Sequence, residues 1–145
     1  MEAGPTAYDV ELRLPESGDS IARARDLTRE LLDERAYRGR HDDVVLVVSE
    51  LVSNALRHGR GAPVLRLAGE AERVRVEVSD DSPVLPAPRQ SGPDGGWGLT
   101  VIERLAVAWG VSGRDTGKTV WCEMAPERTD RDRRDGPRFT PGLAV

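Results

Sequence analysis

The sequence predicts an α/β (α+β) protein, a two-layer sandwich in which about three helices cover one face of a mixed, mostly antiparallel sheet. The first observation is a set of short runs in which apolar and polar residues alternate, as in strands with one buried face. The second is a set of segments with apolar residues at helical spacing. Because the strand runs are only half apolar, we expect helices on one sheet face and a more open opposite face.

The chain begins with a predicted strand followed by an amphipathic helix. Residues 8–14 alternate polar and apolar side chains. After a turn, apolar residues recur at helical spacing over about 21–35, opposite a face rich in Arg and Glu. The candidate caps for this helix are Ser17, Asp19 and Ser20.

A second helix is predicted from Asp42 or Asp43 to His58. Acidic residues favour the positive helix N-terminus, and Gly59 is a common helix terminator. The Val-rich start has a low helix propensity, so a strand over residues 44–48 is the alternative. The apolar spacing continues to the end of the segment, which favours the helix.

Two strands are predicted over residues 64–68 and 74–78, with a turn between them. Residues 81–96 follow and contain several prolines and glycines, so they are predicted to form a long loop. Loops of this length in a compact domain are usually functional or disordered.

A third helix and a closing hairpin complete the predicted domain. The helix runs over residues 99–109 and ends at Gly110. The hairpin strands are residues 111–114 and 119–124. We expect Trp109 and Trp121 to lie in the core.

Length and composition restrict the class of protein. The 145 residues fit one domain, predicted over residues 8–125, with disordered ends at residues 1–7 and in the charged segment 126–145. The net charge of −4 argues against direct nucleic-acid binding. The single cysteine, Cys122, excludes an internal disulfide and is expected to be a buried thiol. No stretch resembles a membrane span or a signal peptide, which favours a cytoplasmic protein without membrane contact.

The second helix carries a carboxylate and a carboxamide one turn apart. Glu50 and Asn54 lie just beyond one edge of its apolar arc, and His58 continues the line. Asn54 offers a neutral oxygen ligand suited to Mg²⁺, which leaves Glu50 to orient or deprotonate a hydroxyl. Taken alone, the pair is explained more simply as two polar residues flanking a core helix, and His58 as a helix-end residue near the terminal carbonyls.

Asp80 is the second candidate. Strand alternation places Asp80 on the same face as Val78, whereas Asp81 points away. A carboxylate at the end of an apolar face needs a partner, and an adenine amino group would supply one. An aspartate that starts a turn before Pro83 is an equally good explanation.

Two glycine-containing segments complete the set of candidates. Gly95-Gly-Trp-Gly98 leads into the third helix, where glycines permit close approach and helix N–H groups favour phosphate. We expect a mobile lid there, with Trp97 exposed. Gly117-Lys-Thr119 begins the last strand, and Thr119 is placed to bond a phosphate or the Asp80 region unless the segment is an ordinary hairpin turn.

In this order, the segments resemble the histidine-kinase-like ATPase (GHKL) superfamily, most closely its small anti-sigma factor serine kinases. The resemblance covers residues 8–125 and implies the Bergerat-type ATP-binding fold. One departure is that Ser82 stands at the first glycine of the family's first glycine box, D-x-G-x-G, and is followed by Pro83 with no second glycine in register. The segments that match are Glu50 to His58 (the N box), Asp80 (the first glycine box), Gly96 to Leu99 (the second) and Gly117 to Thr119 (the last).

The resemblance implies ATP and Mg²⁺ as cofactors, Glu50 as the catalytic base and Asn54 as the Mg²⁺ ligand with Glu50 nearby. It implies a kinase that phosphorylates a serine of an anti-sigma factor antagonist, with a sigma factor as a further candidate partner and a homodimer as a candidate assembly. The alternative is a nucleotide-binding interaction module without significant phosphotransfer, which Ser82 and Pro83 favour. A domain with a ligand other than a nucleotide is the third interpretation. The implied nucleotide-contacting residues are Asn54, Arg57, His58, Asp80, Ser82, Gly96, Trp97, Gly98, Leu99 and Thr119.

Overall fold

The computed structural model of the chain describes residues 7–82, 99–114 and 116–126. Within these residues it contains five strands and three helices, which confirms the predicted fold class. In chain order the elements are β1 (Tyr8–Arg13), α1 (Asp19–Glu34), α2 (His41–His58), β2 (Val64–Glu70), β3 (Arg73–Asp80), α3 (Leu99–Leu105), β4 (Ala108–Arg114) and β5 (Gly117–Met124).

The five strands form one sheet in the order β1-β2-β3-β5-β4. All four pairings between the described strands are antiparallel, so the parallel pair that a mixed sheet would contain does not occur among them. β3 and β5 lie inside the sheet and pair over its length, from Val74 opposite Met124 to Asp80 opposite Lys118. This register brings the end of β3 and the start of β5 together.

The helices cover one face of the sheet. Residues on β3 alternate between buried and partly exposed, and Val74, Val76 and Val78 face the helices. α2 contacts both α1 and β3. Its Val- and Leu-rich arc is buried, so the helix predicted over the ambiguous residues 44–48 is confirmed. Hydrophobic burial along this arc fixes how α2 lies over the sheet.

The opposite sheet face is polar. Arg75 donates to Glu77 at 2.7 Å and to Glu123 at 2.9 Å, and its guanidinium lies 4.3 Å from the ring centroid of Trp121. Trp121 is therefore only half-buried, and its predicted place in the core is wrong. The reason is strand phase, because Trp121 alternates with the fully buried Cys122. Trp109, in contrast, is buried as predicted.

The third helix is shorter than predicted. α3 ends at Leu105, and the predicted last turn instead leads into β4. The Val107 amide donates to the Glu123 carbonyl at 2.8 Å, and Trp109 pairs with Cys122. Pairing with β5 therefore overrides the helical spacing in this segment.

The start of α1 also differs from the prediction. The helix begins at Asp19, and its N-cap residue, Gly18, makes no side-chain capping bond. The Ser20 hydroxyl donates instead to the Pro15 carbonyl oxygen. The helix is held mainly by its buried side chains, Ala24, Leu31 and Leu32 among them.

Most of the predicted loop, residues 81–96, lies outside the described residues, as do nearly all of the two predicted disordered ends. None of the helices in the described part of the chain is both long and apolar enough to cross a bilayer.

Burial raises the pKa of the Cys122 thiol to about 12. We therefore expect negligible labelling of the native protein by dithionitrobenzoate at pH 8, and complete labelling after unfolding in guanidinium. Because the folded-state pKa is the higher one, this thiol favours the folded state fully below its unfolded pKa of about 8.5, and that contribution is lost as pH rises towards 12. Rapid labelling of the folded protein would contradict this assignment.

Candidate functional site

α2 positions the carboxylate and carboxamide as the sequence predicts. Asn54 is only 3% exposed and is one of the buried residues of α2. Glu50 lies one turn earlier and is half-buried. The two side chains therefore occupy one side of the helix, with the amide enclosed and the carboxylate accessible.

Glu50 borders an open groove of about 500 Å³ between α1 and α2. Arg25 and Arg29 of α1 line the same groove, as does Asp42 at the start of α2. A protein segment can therefore approach Glu50 from solvent, and it would meet two guanidinium groups beside the carboxylate.

The end of α2 is packed tightly against Asp80. The Gly59 amide donates to the Ala55 carbonyl at 2.9 Å and closes the helix. A Cβ atom on Gly59 would lie 2.5 Å from Cγ of Asp80. The Gly59 backbone is extended, so this position requires glycine for close approach and not for its φ angle.

The last turn of α2, which carries on from Asn54, consequently ends against Asp80. Asn54 precedes Gly59 by five residues, which corresponds to about 7.5 Å along a helix axis. The next residues strengthen the connection, because the Asp81 amide donates to the Arg60 carbonyl at 2.9 Å. Gly61 adopts a φ of 75°, and a Cβ there would clash with the Asp81 carboxylate. The helix end and the end of β3 thus form one fixed unit.

Asp80 is buried on the helix-facing side of β3, as strand alternation predicts, and forms an ion pair with Lys118. The Lys118 Nζ atom lies 3.0 Å from Oδ1 and 2.9 Å from Oδ2 of Asp80. The two side chains are 0% and 3% exposed, respectively. The Ser82 amide also donates to Oδ1 of Asp80, at 2.7 Å. A buried carboxylate requires such partners, because removing it from water is otherwise costly.

Sequence reasoning missed the role of Lys118, although a signal was present. Lys118 is the only lysine in the chain. Val120, Cys122 and Met124 follow it at every second position of β5, and Lys118 therefore shares their buried face. The phase argument that placed Asp80 would also have placed Lys118 on the buried sheet face.

Thr119 does not lie beside Asp80. The β3–β5 register sets it opposite Ser79, on the sheet face away from the helices. Its Oγ1 atom lies 2.7 Å from Oγ of Ser79. Thr119 therefore bonds to the residue that precedes Asp80, and the residue of this segment that reaches the Asp80 carboxylate is Lys118.

The remaining candidate residues lie at the margins of the site or outside the described residues. Arg57 and His58 are exposed in the last turn of α2, where basic side chains complement the helix dipole. Leu99 is buried at the start of α3. The other candidates fall outside the described residues: Gly96, Trp97 and Gly98.

Replacing Gly59 by alanine is expected to displace the Asp80 carboxylate and destabilise the protein by roughly 1–3 kcal/mol through overpacking. The matched control is Gly18→Ala, because a Cβ at Gly18 would meet nothing within 4 Å. Urea unfolding of both variants measures the difference. Equal stabilities of the two variants would contradict the close packing of Gly59 against Asp80.

The donor set fits Mg²⁺ only if the ligand brings oxygens of its own. In the part of the chain that the structure describes, no group of three or more His, Cys, Asp or Glu residues could hold a metal ion. Mg²⁺ is commonly held by one or two protein oxygens together with phosphate oxygens and water. The Asn54 amide, with Glu50 one turn away, suits that arrangement.

Comparison with known families and structures agrees with the architecture. The model of the family described as "Histidine kinase-like ATPase domain" matches residues 14–124. That span includes all three helices, strands β2 to β5 and every candidate residue named above. A search of curated proteins found no match.

Two solved structures illustrate the similarity. The chain is 24% identical, over 92% of its length, to a structure of the RsbU and RsbW domains of Rv1364c from Mycobacterium tuberculosis, with a TM-score of 0.63. The chain spans only 34% of the length of that structure, so this likeness concerns the fold. The catalytic domain of histidine kinase ThkA is 17% identical over 82% of the chain and 96% of its own length, with a TM-score of 0.49.

Proposed function

The chain belongs to the histidine kinase-like ATPase domain family, and on this basis we propose that it is an ATP- and Mg²⁺-binding regulator that phosphorylates a serine of an anti-sigma factor antagonist. The observation that carries the proposal is the link between two distant sequence segments. The Glu50–Asn54 turn of α2 and the buried Asp80 of β3 are joined through Gly59, where the helix end packs on the carboxylate. A nucleotide can then be held at both of its ends.

Asp80 would hold the base. It is a buried acceptor at the end of an apolar strand face, and the N6 amino group of adenine is a donor. A buried acceptor that pairs with a specific donor gives strong discrimination, because the wrong ligand leaves a polar group unsatisfied.

Asn54 and Glu50 would serve the triphosphate end. Bound Mg²⁺ would neutralise charge that develops on the phosphate oxygens, and Asn54 would be the protein group that holds it. Glu50 would accept the proton of the substrate serine as its Oγ bonds to the γ-phosphorus and the bond to the β-phosphate oxygen breaks, releasing ADP. Arg57 and His58, exposed at the end of α2, would be available to phosphate oxygens.

The partner assignment rests on the motif resemblance and on the open groove. The groove beside Glu50 admits a protein segment, and its lining offers both guanidinium groups and carboxylates to polar groups of that segment. The likeness to a structure that contains an RsbW domain supports a regulatory role. We propose the antagonist as substrate and a sigma factor as a second partner.

A second function is favoured by the surroundings of Asp80. Both of its carboxylate oxygens already have partners, in Lys118 and the Ser82 amide, and Ser82 replaces the first glycine of the family pattern. A module in which ATP sets the conformation and partner affinity, without useful phosphotransfer, would tolerate this arrangement.

The test is a phosphotransfer assay with ATP, Mg²⁺ and a panel of anti-sigma factor antagonists from the same genome, read by mass spectrometry of the antagonist. We expect phosphoserine with the wild type and none with Asn54→Ala. ATP binding without any phosphoprotein would favour the interaction module. Absence of ATP binding would overturn both functions.

A further inference from the structure

We propose that Lys118 is a second base-reading residue, which donates a hydrogen bond to N1 of adenine while Asp80 accepts one from the N6 amino group. This inference rests on the proposed function, since it requires that a purine nucleotide occupies the site. It adds Lys118, as a specificity-determining residue, to the nucleotide-contacting residues that the resemblance implies.

The first argument is position. The Lys118 ammonium is enclosed with the Asp80 carboxylate on the helix-facing side of the sheet, 2.9 Å from Oδ2. The β3–β5 register sets the two residues directly opposite each other. A ligand group that bonds to Asp80 at this sheet end would therefore lie close to the Lys118 ammonium.

The second argument is chemical complementarity. The edge of adenine presents a donor, N6, next to an acceptor, N1. Asp80 can only accept hydrogen bonds and Lys118 can only donate them, and an ammonium has three N–H groups. The ion pair therefore presents the complement of the adenine edge, one acceptor beside one donor.

The third argument is that stability alone does not account for the pair. A buried ion pair can often be replaced by apolar residues with little loss of stability, or with a gain. The neighbouring positions of β3 and β5 on this face are Val78 and Val120, so an apolar pair would continue the existing core. Buried charged groups are found more often at functional sites than in parts of a core that serve stability alone.

The wild-type protein provides the decisive experiment. Titration calorimetry with Mg²⁺ would compare ATP with 1-deaza-ATP, in which a C–H group replaces N1. Loss of a hydrogen bond from a charged donor predicts roughly tenfold to hundredfold weaker binding of the deaza nucleotide. Equal affinities would overturn the inference and leave the proposed function intact, whereas no binding of either nucleotide would overturn both.

A variant assigns any discrimination to Lys118. Lys118→Met removes the proposed donor and introduces no other, while Asp80 keeps the Ser82 amide as a partner and still accepts from N6. In this variant ATP and 1-deaza-ATP should bind equally. Discrimination that persists would show that another group reads N1. If the variant does not fold, the wild-type titration still decides between the outcomes.

Discussion

Replacing Glu50 by glutamine is expected to slow phosphoryl transfer to the antagonist by roughly 10²–10⁴-fold, with little change in ATP affinity. The expected loss is that of a general base, because glutamine cannot accept the proton of the substrate hydroxyl. ATP affinity should persist because Asn54 and Asp80, which would hold the nucleotide, are unchanged. The initial rate of phosphoserine formation and the calorimetric affinity for ATP measure the two effects separately.

The control for Glu50 is Glu30→Gln, an exposed glutamate on the neighbouring helix α1. It makes the same chemical change away from Asn54 and should leave the rate unchanged. Both variants should unfold within about 0.5 kcal/mol of the wild type, since neither substitution opens the core. A Glu50→Gln protein with a wild-type rate would show that the base is elsewhere.

Replacing Asp80 by alanine is expected to abolish detectable ATP binding and to destabilise the protein by about 3–5 kcal/mol. The expected binding loss is that of the acceptor that we propose for N6. The stability loss follows because Lys118 would remain buried without the carboxylate that neutralises it. Calorimetry measures the first effect and urea unfolding the second.

Two controls separate these effects of Asp80. Asp81→Ala removes a neighbouring but exposed carboxylate and should preserve ATP binding. Asp80→Ala combined with Lys118→Met removes both charges, and should recover much of the stability without recovering binding. If Asp80→Ala bound ATP with wild-type affinity, Asp80 would not be a nucleotide-binding residue.

Periodicity in the sequence predicts the parts of the fold that depend on one buried face. The apolar arc of α2 places Glu50 and Asn54 at its edge, and the alternation of β3 places Asp80 on the buried side. Both predictions require only the local repeat of a helix or a strand and the assumption that its apolar face is buried in a core. The same reasoning, applied to β5, would have found Lys118 and separated it from Thr119.

Other features depend on contacts between distant segments, which local patterns do not contain. The apolar spacing of residues 99–109 fits a helix, yet hydrogen bonding to β5 draws its last residues into β4. The contact of Arg75 with the Trp121 ring on the open sheet face joins two strands that are far apart in the sequence. The close approach of Gly59 to Asp80 depends on how α2 lies over the sheet.

The central claim is that Asp80 binds the adenine base and Asn54 the Mg²⁺–phosphate end of one nucleotide. A crystal structure of the protein with Mg²⁺ and a non-hydrolysable ATP analogue tests it most directly. The account predicts the adenine edge within hydrogen-bonding distance of Asp80 and the metal ion, with its phosphate oxygens, beside Asn54. An analogue bound away from either side chain, or with its base at Asn54, would contradict the account.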